Sequence, residues 1–226
     1  MLSLPALIQF YRIAALTKHA LGVYLGFKGA AMLRVLSVAV VLIASASAAA
    51  GEPLFDAVKA GDTASVERLL ASGAEVDSRD RDQATPLIAA SLSNQPAVAE
   101  LLLSKGADVM ARNAGGFTPL HAAAYSGSVQ IAELLLGKGA VLEDAANKAG
   151  VTPLMVAVEK NRVAMLELLI ARGADINRPE SLHKYTPVTR AGFKGHKDII
   201  RVLKRHGAAC PPAEMIGASL CIEMKD

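Results

Sequence analysis

The side chains best suited to chemistry in this 226-residue chain are five histidines, two cysteines and one acidic pair. Catalysis needs titratable groups that converge, and metal binding needs ligands at helix or turn spacing. His19, His121, His183, His196 and His206 show no His-x-x-x-His spacing, and no cysteine pair of the zinc type exists, so the sequence assigns no metal and no cofactor. Asp80 and Asp82 alternate with Arg79 and Arg81. Opposite charges interleaved in this way neutralise one another locally, which describes a solvated turn rather than an ion site. Gly115-Gly116 lacks a following Gly-Lys-Ser/Thr and therefore marks a turn tip, not a phosphate loop. No catalytic residue is assigned, and the chain is expected not to be an enzyme. Cys210 and Cys221 flank Pro211-Pro212 near the C-terminus. They are compatible with one disulfide closing a short loop, or with two unrelated buried thiols.

The elements that hold these residues are repeated. Pro53, Pro86, Pro119, Pro153 and Pro187 follow one another at intervals of 33, 33, 34 and 34 residues. Four places after each stands Ala57, Ala90, Ala123, Ala157 or Ala191. Twenty and twenty-one places after each stand Gly73-Ala74, Gly106-Ala107, Gly139-Ala140, Gly173-Ala174 and Gly207-Ala208. Each period reads as two short antiparallel helices. Thr118 is placed to cap the first, with Pro119 at its first position, where a missing N–H costs nothing. The run Ile131 to Leu136 forms the second, and Gly139 ends it in a left-handed conformation.

Thr118-Pro119-Leu120-His121-Ala122-Ala123 fits the Thr-Pro-Leu-His-x-Ala signature, and the segment Phe117 to Gly150 resembles an ankyrin repeat. The resemblance covers roughly residues 51 to 210. It implies an all-α ankyrin-repeat solenoid of about five helix-turn-helix repeats, at 51–83, 84–116, 117–150, 151–184 and 185–209, followed by a tail at 210–226. Arg68 replaces the Leu101, Leu134, Leu168 and Val202 of later copies, and Lys204 replaces the Leu70, Leu103, Leu136 and Ile170 of earlier ones. Polar residues at stacking positions belong on terminal repeats, which predicts a five-repeat array with the first and fifth as caps. The extra residue of the last two periods falls between the Gly-Ala pair and the next Pro, lengthening a turn and sparing the helices. His121 and the Gly195-His196 step match structural positions of ankyrin repeats, as do Asp80, Asn113 and Asn147 in the turns.

Residues 1–50 hold four basic residues and no acidic one, whereas from residue 51 onward 20 basic face 21 acidic residues. A near-neutral array argues against a nucleic-acid partner. Met32-Leu33-Arg34, the apolar run Val35 to Ala44 and the small residues Ser45 to Ala50 have the layout of a secretory signal peptide at 32–50, with an Ala-x-Ala cleavage site. Residues 1–31 then read as an upstream extension or a mis-called start. The expected location is the periplasm or the cell exterior; an uncleaved anchor, the alternative, is the only reading that involves a membrane, and an organelle-targeting extension is a further one.

What the sequence offers is a surface for another protein. Two places before each Pro stand Gly51, Ala84, Phe117, Val151 and Tyr185; six places after stand Lys59, Leu92, Tyr125, Glu159 and Phe193. These positions vary while the framework repeats, so packing does not dictate them. The resemblance places partners of ankyrin proteins in the groove made by turn tips and first helices. Leu92, Phe117, Tyr125, Tyr185 and Phe193 are therefore the expected contact patch, with gap-filling between turns the alternative for Phe117 and Tyr185. The expected function is a non-catalytic interaction module; the alternatives are a membrane-anchored structural protein and an accessory subunit of an enzyme.

Overall fold

The computed structural model describes residues 53–212 and 221–222. The expected upstream extension and export signal lie outside these residues. Among residues 53–212, ten helices follow in pairs. The first pair is α1, over residues 53–60, and α2, Thr63–Ala71. The next three are α3, Pro86–Leu92, with α4, Pro96–Ser104; α5, Pro119–Ser126, with α6, Val129–Gly137; and α7, Pro153–Glu159, with α8, Val163–Ala171. The last is α9, Pro187–Lys194, with α10, Lys197–Arg205. First helices pack on first helices and second on second, giving two layers. There is no strand among the described residues.

Local chemistry sets the start of each first helix. Thr85, Thr152 and Thr186 accept from the N–H groups of Ile88, Met155 and Thr189 at 3.3, 3.3 and 3.4 Å. Each is followed by Pro at the first helical position, where the ring fixes φ and leaves no N–H orphaned. First helices stop at a left-handed residue, which is Gly127 (φ 83°) in the third repeat but Asn94 (φ 52°) and Asn161 (φ 55°) in the second and fourth. Asn tolerates this region better than other side chains.

Packing then joins what none of the hairpins could bury alone. Leu54, Leu87, Leu120, Leu154 and Val188 each follow the repeated proline, and all are at most 1% exposed. With Leu102, Leu135, Leu169 and Leu203 from the second helices they form a single core cluster through all five repeats. Each such side chain contributes roughly 1.5–3 kcal/mol by leaving water. Ala90, Ala123, Ala157 and Ala191 are fully buried, and their small volume lets adjacent helices approach. At the C-terminal end Cys210 and Cys221 are joined by a disulfide, and Cys221 belongs to the same core.

Arg68 is exposed and hydrogen-bonds Ser65 and the Ala64 carbonyl. It lines an open groove of about 630 Å³ built entirely from first-repeat residues, among them Ala57, Leu69 and Asp62.

Candidate functional site

Side chains pass from each repeat to its neighbour at both ends of the first helices. At the C-terminal end, the Gln95 amide donates to the Lys59 carbonyl at 3.1 Å, Arg162 Nε to the Tyr125 carbonyl at 3.1 Å, and His196 Nε2 to the Glu159 carbonyl at 3.2 Å. Ser126 Oγ donates to the Ser91 carbonyl at 2.7 Å. Helix ends leave carbonyls without intrahelical partners, and the next repeat supplies them. His196, read from the sequence as a structural Gly-His turn, has a structural partner of this kind. Gln95 and Arg162 were legible only as variation.

At the other end, the turns are built on one residue each. Asp80 Oδ1 accepts from the N–H groups of Asp82 and Ala84 at 2.9 and 2.8 Å, and Asn113 Oδ1 from those of Gly115 and Phe117 at 2.9 and 3.0 Å. Asn147 repeats this with Val151 at 3.1 Å. Arg79 and Arg112, 33 residues apart, reach the next turn as well. Arg79 donates to Gln83 and Arg112 carbonyls at 2.7 and 2.5 Å, and Arg112 to Gly116 and Ala146 carbonyls at 3.0 and 3.4 Å. Arg112 also forms a two-pronged ion pair with Asp144, whose side chain is 6% exposed. That hydrogen bonding holds the Asp144 carboxyl below the usual carboxylate range and strengthens the hold of Arg112 on its proton.

The extra residue of the third period precedes its anchor Asn147; that of the fourth follows its anchor. Glu180 N–H donates to the carbonyl of Tyr185, five residues on, where Asp80 and Asn113 reach only four. Glu180 is 3% exposed and pairs with Arg190 and His183. Its role was not legible, because an acid in a turn ordinarily faces water.

His121 links turn and helix. Nδ1 accepts from the Thr118 N–H at 3.3 Å, so the proton sits on Nε2 and is donated to the Val151 carbonyl at 3.0 Å. Burial pushes the imidazole below its ordinary value. A neutral, doubly bonded ring of this kind holds two repeats together and has no free nitrogen for catalysis. Among the described residues no group of three or more His, Cys, Asp or Glu could hold a metal ion.

The variable positions fall into two sets. Leu92, Tyr125 and Phe193 are 45%, 48% and 56% exposed. They lie in a row on the first-helix layer, because the ties from Ser126 to Ser91, from Arg162 to Tyr125 and from His196 to Glu159 bring successive repeats together at this level. Lys160 Nζ stands 4.6 Å above the Tyr125 ring, and Lys194 Nζ lies 3.9 Å from Glu159. Phe117 and Tyr185 sit instead among the turns. Phe117 is half-buried, edge-on to His121 at 5.5 Å, and Tyr185 is half-buried between His183 at 5.4 Å and Arg190 at 5.7 Å.

The profile of ankyrin repeats (3 copies) matches residues 30–113, 54–145, 110–180 and 143–213. The chain belongs to the ankyrin-repeat family. No curated protein matches it. Ankyrin repeats mark a protein–protein interaction module, and proteins of this family are generally non-catalytic. Among the described residues of this ankyrin array, Leu92, Tyr125 and Phe193 are exposed large apolar side chains, as are Val141, Leu182 and Ile222. Charge is uneven along the array. Residues 53–152 hold 8 basic and 12 acidic residues, whereas residues 153–212 hold 11 basic and 5 acidic.

Proposed function

We propose that the chain is a non-catalytic ankyrin module working in the periplasm or outside the cell, with residues 32–50 directing export and the five repeats holding another protein. The observation that supports the reading best is the row of Leu92, Tyr125 and Phe193, three large apolar side chains about half exposed on an otherwise well-packed layer. Solvated aromatics at positions the framework does not use are the usual anchors of protein contacts. Export is supported by the layout of residues 32–50 and by the Cys210–Cys221 bond, since structural disulfides persist in oxidising compartments. Among the described residues no helix is long and apolar enough to cross a membrane.

Two measurements test this. N-terminal sequencing of the protein from an osmotic-shock fraction should begin at Ala49 or Gly51, and an intact Met1 would sink the export reading. Capture of the partner should be lost in Tyr125→Ala/Phe193→Ala with little change in melting temperature. A large fall in melting temperature would make the two rings structural.

A further inference from the structure

The near-neutral total conceals a charge polarity that coincides with the exposed rings. The first three repeats, residues 53–152, have a net charge of −4, and residues 153–212 a net charge of +6; with residues 213–226 included the C-terminal excess is still +4. The aromatic part of the row, Tyr125 to Phe193, lies where the positive side begins. Lys160 follows Glu159 in the fourth repeat and Lys194 follows Phe193 in the fifth, at the position filled by Ala60, Ser93 and Ser126 earlier in the array. Both lysines are exposed. Glu159 lies 3.9 Å from Arg190 and from Lys194, and Glu180 is buried against Arg190. Glu159 and Glu180, two of the five acids of residues 153–212, are therefore held by cations of the array. Lys160 stands over Tyr125, and the exposed tip residues Leu182 and Lys184 extend the same mixture of apolar and cationic groups.

We infer that the partner is a polypeptide segment combining carboxylates with large apolar side chains, seated across repeats three to five rather than along the whole array. This rests on the interaction-module reading and adds to it the sign of the partner and its place. The apolar side chains cover Tyr125 and Phe193, while carboxylates meet Lys160 and Lys194 at the edge of the ring faces. There, partial exclusion of water strengthens the attraction. A basic segment is turned away by the same field. Phosphate polymers would match the sign, but the aromatics of this row are separated by Glu159, whose carboxylate repels a continuous phosphate chain.

Fluorescence anisotropy with the full, disulfide-bonded chain tests the inference. The probes are a labelled twelve-residue peptide alternating Glu with Leu and Phe, its Lys counterpart, a single-stranded oligonucleotide and phosphatidylglycerol vesicles. The acidic peptide should bind at least tenfold more tightly than the basic one. Lys160→Glu/Lys194→Glu should reverse that preference, and the milder Lys160→Gln/Lys194→Gln should abolish it. Glu75→Lys/Glu100→Lys, at exposed positions of the acidic end, should leave acidic-peptide affinity within about twofold, with unchanged melting curves for every variant used. If Tyr125→Ala/Phe193→Ala weakens peptide binding but charge reversal does not, the inference fails and the interaction face stands. If neither pair matters, the face itself is wrong. Tighter binding of the oligonucleotide or the vesicles than of the acidic peptide overturns the inference in favour of a phosphate-bearing partner.

Discussion

The first three turns of the array and its fourth solve one problem differently. In the first three, each turn is tied to the next through the backbone: Ala114 N–H donates to the Asp82 carbonyl at 2.9 Å, and Lys148 N–H to the Gly115 carbonyl at 3.0 Å. No such bond joins the third turn to the fourth among the described residues. There Arg178 crosses instead, to the Glu143 carbonyl at 3.1 Å and its carboxylate at 3.0 Å, and Leu182 stands 69% exposed at the tip. The acidic end of the molecule is stitched by main chain in addition to the side chains of Arg79 and Arg112, and the basic end by side chains without the main-chain tie. Backbone ties fix a turn without regard to residue type; side-chain ties leave the tip free to vary in shape and charge. The end with variable tips is also the end with exposed aromatics and cations.

The sharpest way to break this contrast is to cut the core in the middle. Leu135→Ala should lower stability by roughly 2–5 kcal/mol, measured by urea unfolding. Leu203→Ala, in the last helix pair among the described residues, should lower it less. Equal effects would mean that the hairpins do not support one another as neighbours. Replacing Cys210 and Cys221 by Ser should cost about 2–4 kcal/mol and loosen the basic end alone, which hydrogen exchange of α10 against α4 would show.

Acid sharpens the contrast from the other side. His121 and Asp144 both have folded-state pKa values below their ordinary ones. Each therefore adds stability that is fully present above its unfolded value and is lost as pH falls through the folded one. Melting temperature should decline in two stages, below about 6.5 for His121 and below about 4 for Asp144. Asp144→Asn should shrink the second stage, to which Asp62 with its Ser65 hydrogen bonds also contributes, and cost about 1.5–3 kcal/mol at neutral pH, leaving peptide binding at repeats three to five unaltered. The smallest effect belongs to the exposed pairs Lys105–Glu67 and Arg172–Glu133, at 3.4 and 3.3 Å. Neutralising either should change stability by at most about 0.5 kcal/mol, and a larger change would show that the outer helices are coupled by charge.

The fold was legible because its rules are local and repeated. Pro, Ala and Gly-Ala stand at fixed offsets, and each offset has one physical task. The turn anchors Asp80, Asn113 and Asn147 could be read for the same reason. Less could be read of contacts that cross a period between unlike partners. Arg112 with Asp144 and Glu180 with Arg190 pair residues at no common offset, and nothing in their immediate neighbours announces them. Exposure at Tyr125 and Phe193 followed from their varying while the framework did not. The half-burial of Phe117 and Tyr185 was left open beside contact, since it depends on His121 and His183 lying beside them at the turn.

The ties at the ends of the first helices bear on how such a chain can be rearranged. The bond to a preceding carbonyl is made by an amide at Gln95, a guanidinium at Arg162, an imidazole at His196 and a hydroxyl at Ser126. Each differs in reach, so each hairpin is fitted to one predecessor. A chimera that set the fourth hairpin directly after the second would bring Arg162 to a helix end that a serine hydroxyl now serves. The units look interchangeable as text, yet they are keyed in order.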